Sequence, residues 1–182
     1  MVIAIFLLIA VVIFDVYVSS QGVYKKGENQ AELLQNGRII IERMTREIRQ
    51  AEEMVSALPQ TFDNPDSPPL SEIEFQDGHT TSTDYYYIRY YIPEGTEEIY
   101  RQYRVYCFDD CQSCVDYFRW DENKIEGEEI IPVQVCNLEE KIIGEYLTDL
   151  KIWGDSLVNI SLILKKSNQE IELKTSIFGR NL

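Results

Sequence analysis

The first 58 residues constrain this chain most, because they read as one long helix whose two halves need different surroundings. Residues 1–14 (MVIAIFLLIAVVIF) carry no polar or charged side chain, Asp15 is the first charge, and no proline occurs before Pro59. From Leu34 the apolar positions fall at Leu34, Gly37, Ile41, Met44, Ile48, Ala51, Val55 and Leu58, a three-four alternation that lines one side of a helix. The opposite side takes Arg43, Arg46, Glu47, Arg49, Glu52 and Glu53, with Arg43 and Glu47 one turn apart. The pattern predicts an apolar half-helix over residues 1–24, an amphipathic half over 25–58 and a folded body over 59–182.

Size turns that pattern into a statement about function. At about 1.5 Å per residue a helix ending near Ala57 is roughly 85 Å long, whereas the ~125 residues that follow make a body roughly 35 Å across. The body can bury the amphipathic half through Leu34, Ile41, Met44, Ile48, Ala51 and Val55. It cannot also cover Met1, Val2, Ile3, Ile5, Phe6, Leu7, Leu8, Ile9, Val11, Val12, Ile13 and Phe14, which must find lipid or other protein molecules. The uninterrupted run alone is about 21 Å, short of the ~30 Å hydrocarbon layer. A secretory signal has an apolar region of that length, and Val18-Ser19-Ser20 imitates a cleavage site. No Lys or Arg precedes the run, however, and helix-compatible sequence continues past Gln21 with no interruption stronger than Gly22 and Gly27.

Charge separates the two parts further. The chain is formally -14; residues 25–57 balance six basic against six acidic side chains and Asp15 is the one other charge before them, so the body carries -13. Such a surface repels phosphate backbones, and direct nucleic-acid binding is not expected.

Pro59 is expected to end the helix, and residues 60–70, with Pro65, Pro68 and Pro69, to form a loop. Strands are expected at 72–76, at 85–92 and 98–108 as a hairpin across Pro93-Glu94-Gly95-Thr96, at 130–136, at 150–153, and as a second hairpin from Val158 to Ile177 turning at 166–169. Residues 137–147 have a mixed pattern that suits a short helix or a loop. One face of the first hairpin is expected on the helix stripe; the other, with Tyr85, Tyr87, Arg89 and Tyr91, is left to a loop or to a neighbouring subunit. His79 is the only histidine and reads as a solvated loop residue. With no nucleophile motif, phosphate loop or paired-carboxylate motif, catalysis lacks its usual parts, and no cofactor or small-molecule substrate is expected.

Cys107, Cys111, Cys114 and Cys136 satisfy the count for a zinc site, but outside the cytosol oxidation is the expected fate. If all four pair, Cys136 bonds one of Cys107, Cys111 or Cys114 and the other two close a small loop. Either way the strand ending at Cys136 must lie within about 7 Å, between linked Cα atoms, of the 107–114 segment.

The apolar opening MVIAIFLLIAVVIF, the polar half QAELLQNGRIIIERMTREIRQAE and the β-rich remainder together resemble the type IV pilin and pseudopilin superfamily. NGRIIIERMTREIRQA and the ending LKTSIFGRNL are similar to the larger minor pseudopilins of type II secretion (J-type) and to W-type minor pilins of type IV pili. The resemblance implies an α+β pilin-like fold with a long protruding N-terminal helix packed by its C-terminal half on an antiparallel sheet. It implies a non-enzymatic minor subunit, held in the cytoplasmic membrane before assembly with its body outside the cytosol, then placed near a filament tip among other pilin or pseudopilin subunits. It also permits calcium at Asp109, Asp110 and Asp116, although solvation is the plainer reading of that cluster. The family's basic leader ending in Gly, its processed aromatic and its Glu at the fifth mature position are expected just upstream of Met1. Asp15 lies too far along the helix to replace that Glu. About six more residues would extend the apolar run to about 20, enough to span. Two other readings fit the same residues: a membrane-anchored extracytoplasmic ligand-binding or sensor domain, and a zinc-stabilised protein whose apolar helix docks on a partner.

Overall fold

The structure is a computed structural model and describes residues 2–79, 85–127, 129–154 and 156–179, with helix side chains from residue 10 onward. It is an α+β protein. One N-terminal helix, α1 (Val2–Gln50), precedes β1 (Glu72–Gln76), β2 (Tyr87–Tyr91), β3 (Ile99–Cys107), β4 (Asn123–Glu126), β5 (Glu129–Pro132), β6 (Gln134–Gly144), β7 (Leu147–Trp153), β8 (Leu157–Lys166) and β9 (Gln169–Phe178). All pairings between these strands are antiparallel: one sheet runs β1-β2-β3-β6, a second β7-β8-β9, and β4 and β5 form a hairpin of their own. The two larger sheets meet where Leu70 and Ile152 exchange backbone hydrogen bonds of 2.9 and 2.8 Å.

The core lies where α1 crosses both sheets. Leu33, Ile40, Met44 and Ile48 are fully buried against Ile73, Phe75, Ile88, Tyr90 and Ile99 of one sheet and Leu150, Ile152, Val158, Ile160, Leu162, Leu164 and Ile177 of the other. This shifts the expected helix face by one residue, because Leu33 and Ile40 point at the core while Leu34 and Ile41 flank it half-buried. Gly37 sets the register: a Cβ there would overlap the Leu173 side chain and stand 3.2 Å from Leu164. Only a bare backbone lets helix and sheet approach so closely.

The helix also stops earlier than expected, at Gln50 rather than near Pro59. Residues 51–56 run extended along the free edge of β1: Val55 N–H donates to the Glu74 carbonyl at 2.9 Å, Gln76 N–H to the Glu53 carbonyl at 2.8 Å, and Met54 bridges Phe75. An edge strand left unpaired inside the fold would strand its backbone donors and acceptors, and satisfying them outweighs two more turns of helix. Ala51 and Val55 therefore contribute to the body but not from a helix; Ala51 is buried and Val55 half-buried.

Three strand expectations also change. Residues 137–144 belong to β6, whose exposure on both sides removes the alternation that marks a half-buried strand. The 130–136 segment is split between β5 and β6 at Val133, and β4, which pairs with β5, occupies a stretch with no expected structure. The expected hairpin of 85–92 with 98–108 is present as β2 and β3, and that of 158–177 as β8 and β9. Of the polar loop after Gly78, residues 80–84 lie outside the described residues.

The β2–β3 centre is tyrosine-rich, and its chemistry predicts an alkaline transition. Burial pushes the phenols of Tyr87 and Tyr91 up to about 12 from an ordinary 10.0, and Glu140 beside Tyr91 adds to the effect. Tyr90, Tyr103 and Tyr106 are pushed up as well, first by burial and then by Glu47, Asp77 and Glu74 respectively. Folding thus favours the protonated phenols: their contribution is complete below pH 10 and is lost as pH rises toward about 12. We expect the melting temperature to fall over that window, with tyrosinate absorbance for this group appearing only as the protein unfolds. Ionisation of every tyrosine near pH 10 with an unchanged melting temperature would contradict the packing.

Candidate assembly site

The feature that sets this molecule apart is the length of α1 that the body leaves uncovered. At about 1.5 Å per residue the 49-residue helix is about 73 Å long. Every residue from 10 to 28 is exposed, and the first fully buried side chain is Leu33. Val11, Val12, Ile13, Phe14, Val16, Tyr17 and Val18 are 52–64% exposed, and Val23 and Tyr24 more so. Successive residues on a helix are set about 100° apart, so these side chains cover every direction around the axis. A cylinder apolar on all sides is the pattern of a helix buried on all sides. Asp15 is the one charge between residues 10 and 24. Met1 lies outside the described residues, and so do the side chains of Val2, Ile3, Ile5, Phe6, Leu7, Leu8 and Ile9, which were assigned to the same core. Among the described residues no helix is long and apolar enough to cross a membrane.

The other half of α1 is fixed to the body by polar contacts as well as by its apolar stripe. Glu47, assigned above to the charged outer side, turns inward instead. It accepts the Tyr90 hydroxyl at 2.5 Å and Arg101 Nε at 2.9 Å, with Arg43 3.5 Å away on the helix. Its side chain is only 11% exposed, so the pair is screened less than a surface one and removal of either partner strands a charge. Nearer the free half, Glu32 pairs with Lys166 of β8; that contact holds the Glu32 carboxyl below the usual carboxylate range. The packed half of α1 is thus tied to both larger sheets, through Glu47 to β2 and β3 and through Glu32 to β8.

The cysteines settle a second part of the molecule. Cys111 bonds Cys136 and Cys107 bonds Cys114, with Cα separations of 5.4 and 6.0 Å. Cys136 thus takes one partner from the 107–114 segment and the remaining two close a short loop, one of the expected arrangements. All four sulfurs are paired, so the structure holds Cys107, Cys111, Cys114 and Cys136 as disulfides and not in the arrangement of the zinc alternative. Among the described residues no group of three or more His, Cys, Asp or Glu side chains is placed to hold a metal, Asp109, Asp110 and Asp116 included. The stapled loop wraps the end of β2 and β3: Trp120 N–H donates to the Tyr87 hydroxyl at 3.1 Å, the backbone of Phe118 bridges that of Tyr106, and Tyr117 packs edge-on against Tyr86. Beyond it the β4–β5 hairpin projects, turning at Gly127, whose φ of +68° suits a residue without a side chain. His79 is 63% exposed with Nδ1 2.8 Å from Asp77, a loop position as expected.

Neither Glu47 nor the hairpin was identifiable as functional from sequence; the one signal was Gly127 between glutamates. Comparison with protein families, with curated proteins and with solved structures finds no match to this chain, so its function is argued from the residues and geometry above.

Proposed function

We propose that the chain is a non-enzymatic structural subunit, a minor pilin or pseudopilin, of a type IV pilus or type II secretion-like filament. The observation that carries the reading is the stretch from residue 10 to 28, apolar around its circumference up to Val18, exposed throughout, and rigidly continuous with a half-helix locked into the body. Exposed apolar surface of this extent marks an interaction site. In this proposal the apolar half rests in the cytoplasmic membrane, then moves into a bundle of like helices contributed by other subunits. A bundle interior needs no full crossing of a bilayer, so a run of about 21 Å is adequate there. The acidic body faces outward in an extracytoplasmic compartment, where paired cysteines persist. The resemblance stated above supports a position near the tip and a role in priming assembly.

The test uses the absence of free cysteine. Val16→Cys and Ile39→Cys each introduce a single thiol, on the apolar half and on the exposed side of the packed half respectively. In membranes and in isolated filaments, Val16→Cys is expected to resist an aqueous maleimide and, in filaments, to cross-link to neighbouring subunits, while Ile39→Cys labels readily in membranes. Equal labelling of both positions in cells would refute the proposal.

A further inference from the structure

We infer that the β4–β5 hairpin of one copy seats in the groove between α1 and β9 of a second copy. The contact needs only the body and is independent of the apolar half-helix.

The hairpin is an unusual thing to leave in water. Two-stranded ribbons are marginal alone, and this one puts two isoleucines directly opposite each other beside its turn, Ile125 at 74% and Ile130 at 68% exposure. Asp121, Glu122, Glu126 and Glu129 surround them, all exposed, with Lys124, which pairs with Glu126, the single cation of the two strands. Cys111–Cys136 closes the segment that carries the arm and ties it back to β6. Such an arm suits a partner with an apolar hole and a basic rim.

This chain carries that complement. A groove of about 460 Å³ runs between α1 and β9, lined by Ile41, Thr45 and Thr175, with Arg46, Arg49 and Gln50 and one acid, Glu42, around it, so that the two guanidiniums outweigh the single carboxylate. Both arginines are exposed and, among the described residues, form no ion pair. Elsewhere the cations are mostly spent: Lys141 pairs with Glu139, Lys151 with Asp149, Lys166 with Glu32 and Lys174 with Glu172. On a chain of charge -14, the two unpaired guanidiniums beside an apolar groove offer an acidic, isoleucine-tipped arm both counter-charge and cover. Arm and groove are different patches, so the contact is heterologous and joins copies head to tail.

The full oxidised chain in dodecyl maltoside micelles, which cover the apolar helix, is examined by sedimentation velocity. Wild type is expected to associate with rising concentration and to dissociate with added salt. Glu126→Lys/Glu129→Lys and Arg46→Glu/Arg49→Glu should each weaken association about tenfold or more, and their equimolar mixture should restore it. Ile125→Ser/Ile130→Ser should weaken it without altering charge. The inference is overturned if wild type stays monomeric up to about 1 mM, if a charge variant with wild-type melting temperature associates as tightly as wild type, or if the mixture does no better than its components. Detergent hides the half-helix, so none of these outcomes touches the thiol-labelling result.

Discussion

An alanine at Gly78 is expected to lower the melting temperature of the body by about 10 °C, the effect of a loss of about 3 kcal/mol in a domain of this size. Gly78 lies in the turn after β1, directly against the end of α1. A Cβ added there would overlap the Gln50 carbonyl oxygen and stand 2.9 Å from its carbon. These are backbone atoms at the point where the helix stops, fixed by the hydrogen bonds of residues 51–56 to β1, so they cannot swing aside as a side chain would. The turn must open or the helix must lift, and lifting it exposes Ile48 and Ala51. Gly22→Ala is the matched control: nothing lies within 4 Å of a Cβ at that position, and helix propensity alone favours alanine by about 1 kcal/mol. Thermal denaturation followed by circular dichroism should separate the two clearly. A Gly78→Ala protein melting within about 2 °C of wild type would mean that the helix end is not seated on this turn.

How much of this was legible beforehand depends on what each residue answers to. β1, β8 and β9 alternate because each has a core face, and alternation is visible in a string of letters; β2 and β3 were legible instead from their run of aromatic and β-branched residues. The Leu33 stripe was legible to within one residue; the missing step was Gly37, whose role depends on Leu164 and Leu173, more than a hundred positions away. Residues 51–58 keep helical spacing to the end, yet they serve an unpaired strand edge that appears only once β1 is in place. β6 was hidden because Glu139, Glu140 and Lys141 sit on an edge strand open to solvent on both sides. At the candidate site, the apolar cylinder needed only composition and length, and the cysteine arithmetic needed only counting. Glu47 was misplaced because its partners Tyr90 and Arg101 come from two strands no helical wheel contains. The projecting hairpin had no signal of burial to give.

Ile13→Arg should abolish both membrane association and incorporation into filaments while leaving the melting temperature of the body unchanged. Ile13 is 64% exposed and remote from the core, so the body loses nothing when it changes. Its surroundings in the proposed states are another matter. An arginine near the middle of an inserted helix costs about 3 kcal/mol on insertion scales, roughly a hundredfold in partition, and a run already short of the bilayer has no surplus to offset it. In a bundle of apolar helices the same guanidinium meets no carboxylate unless Asp15 of a neighbour comes within reach, and an unpaired charge in that setting is costlier still. Ile39→Arg, at a comparably exposed position on the packed half, adds the same charge where water remains and should change neither property. Carbonate extraction of membranes and recovery of the subunit in sheared filaments read the two states separately. If Ile13→Arg behaves like Ile39→Arg in both, the bare half of α1 is not the part of the molecule that lipid or sister subunits cover, and the assembly reading is wrong at its root.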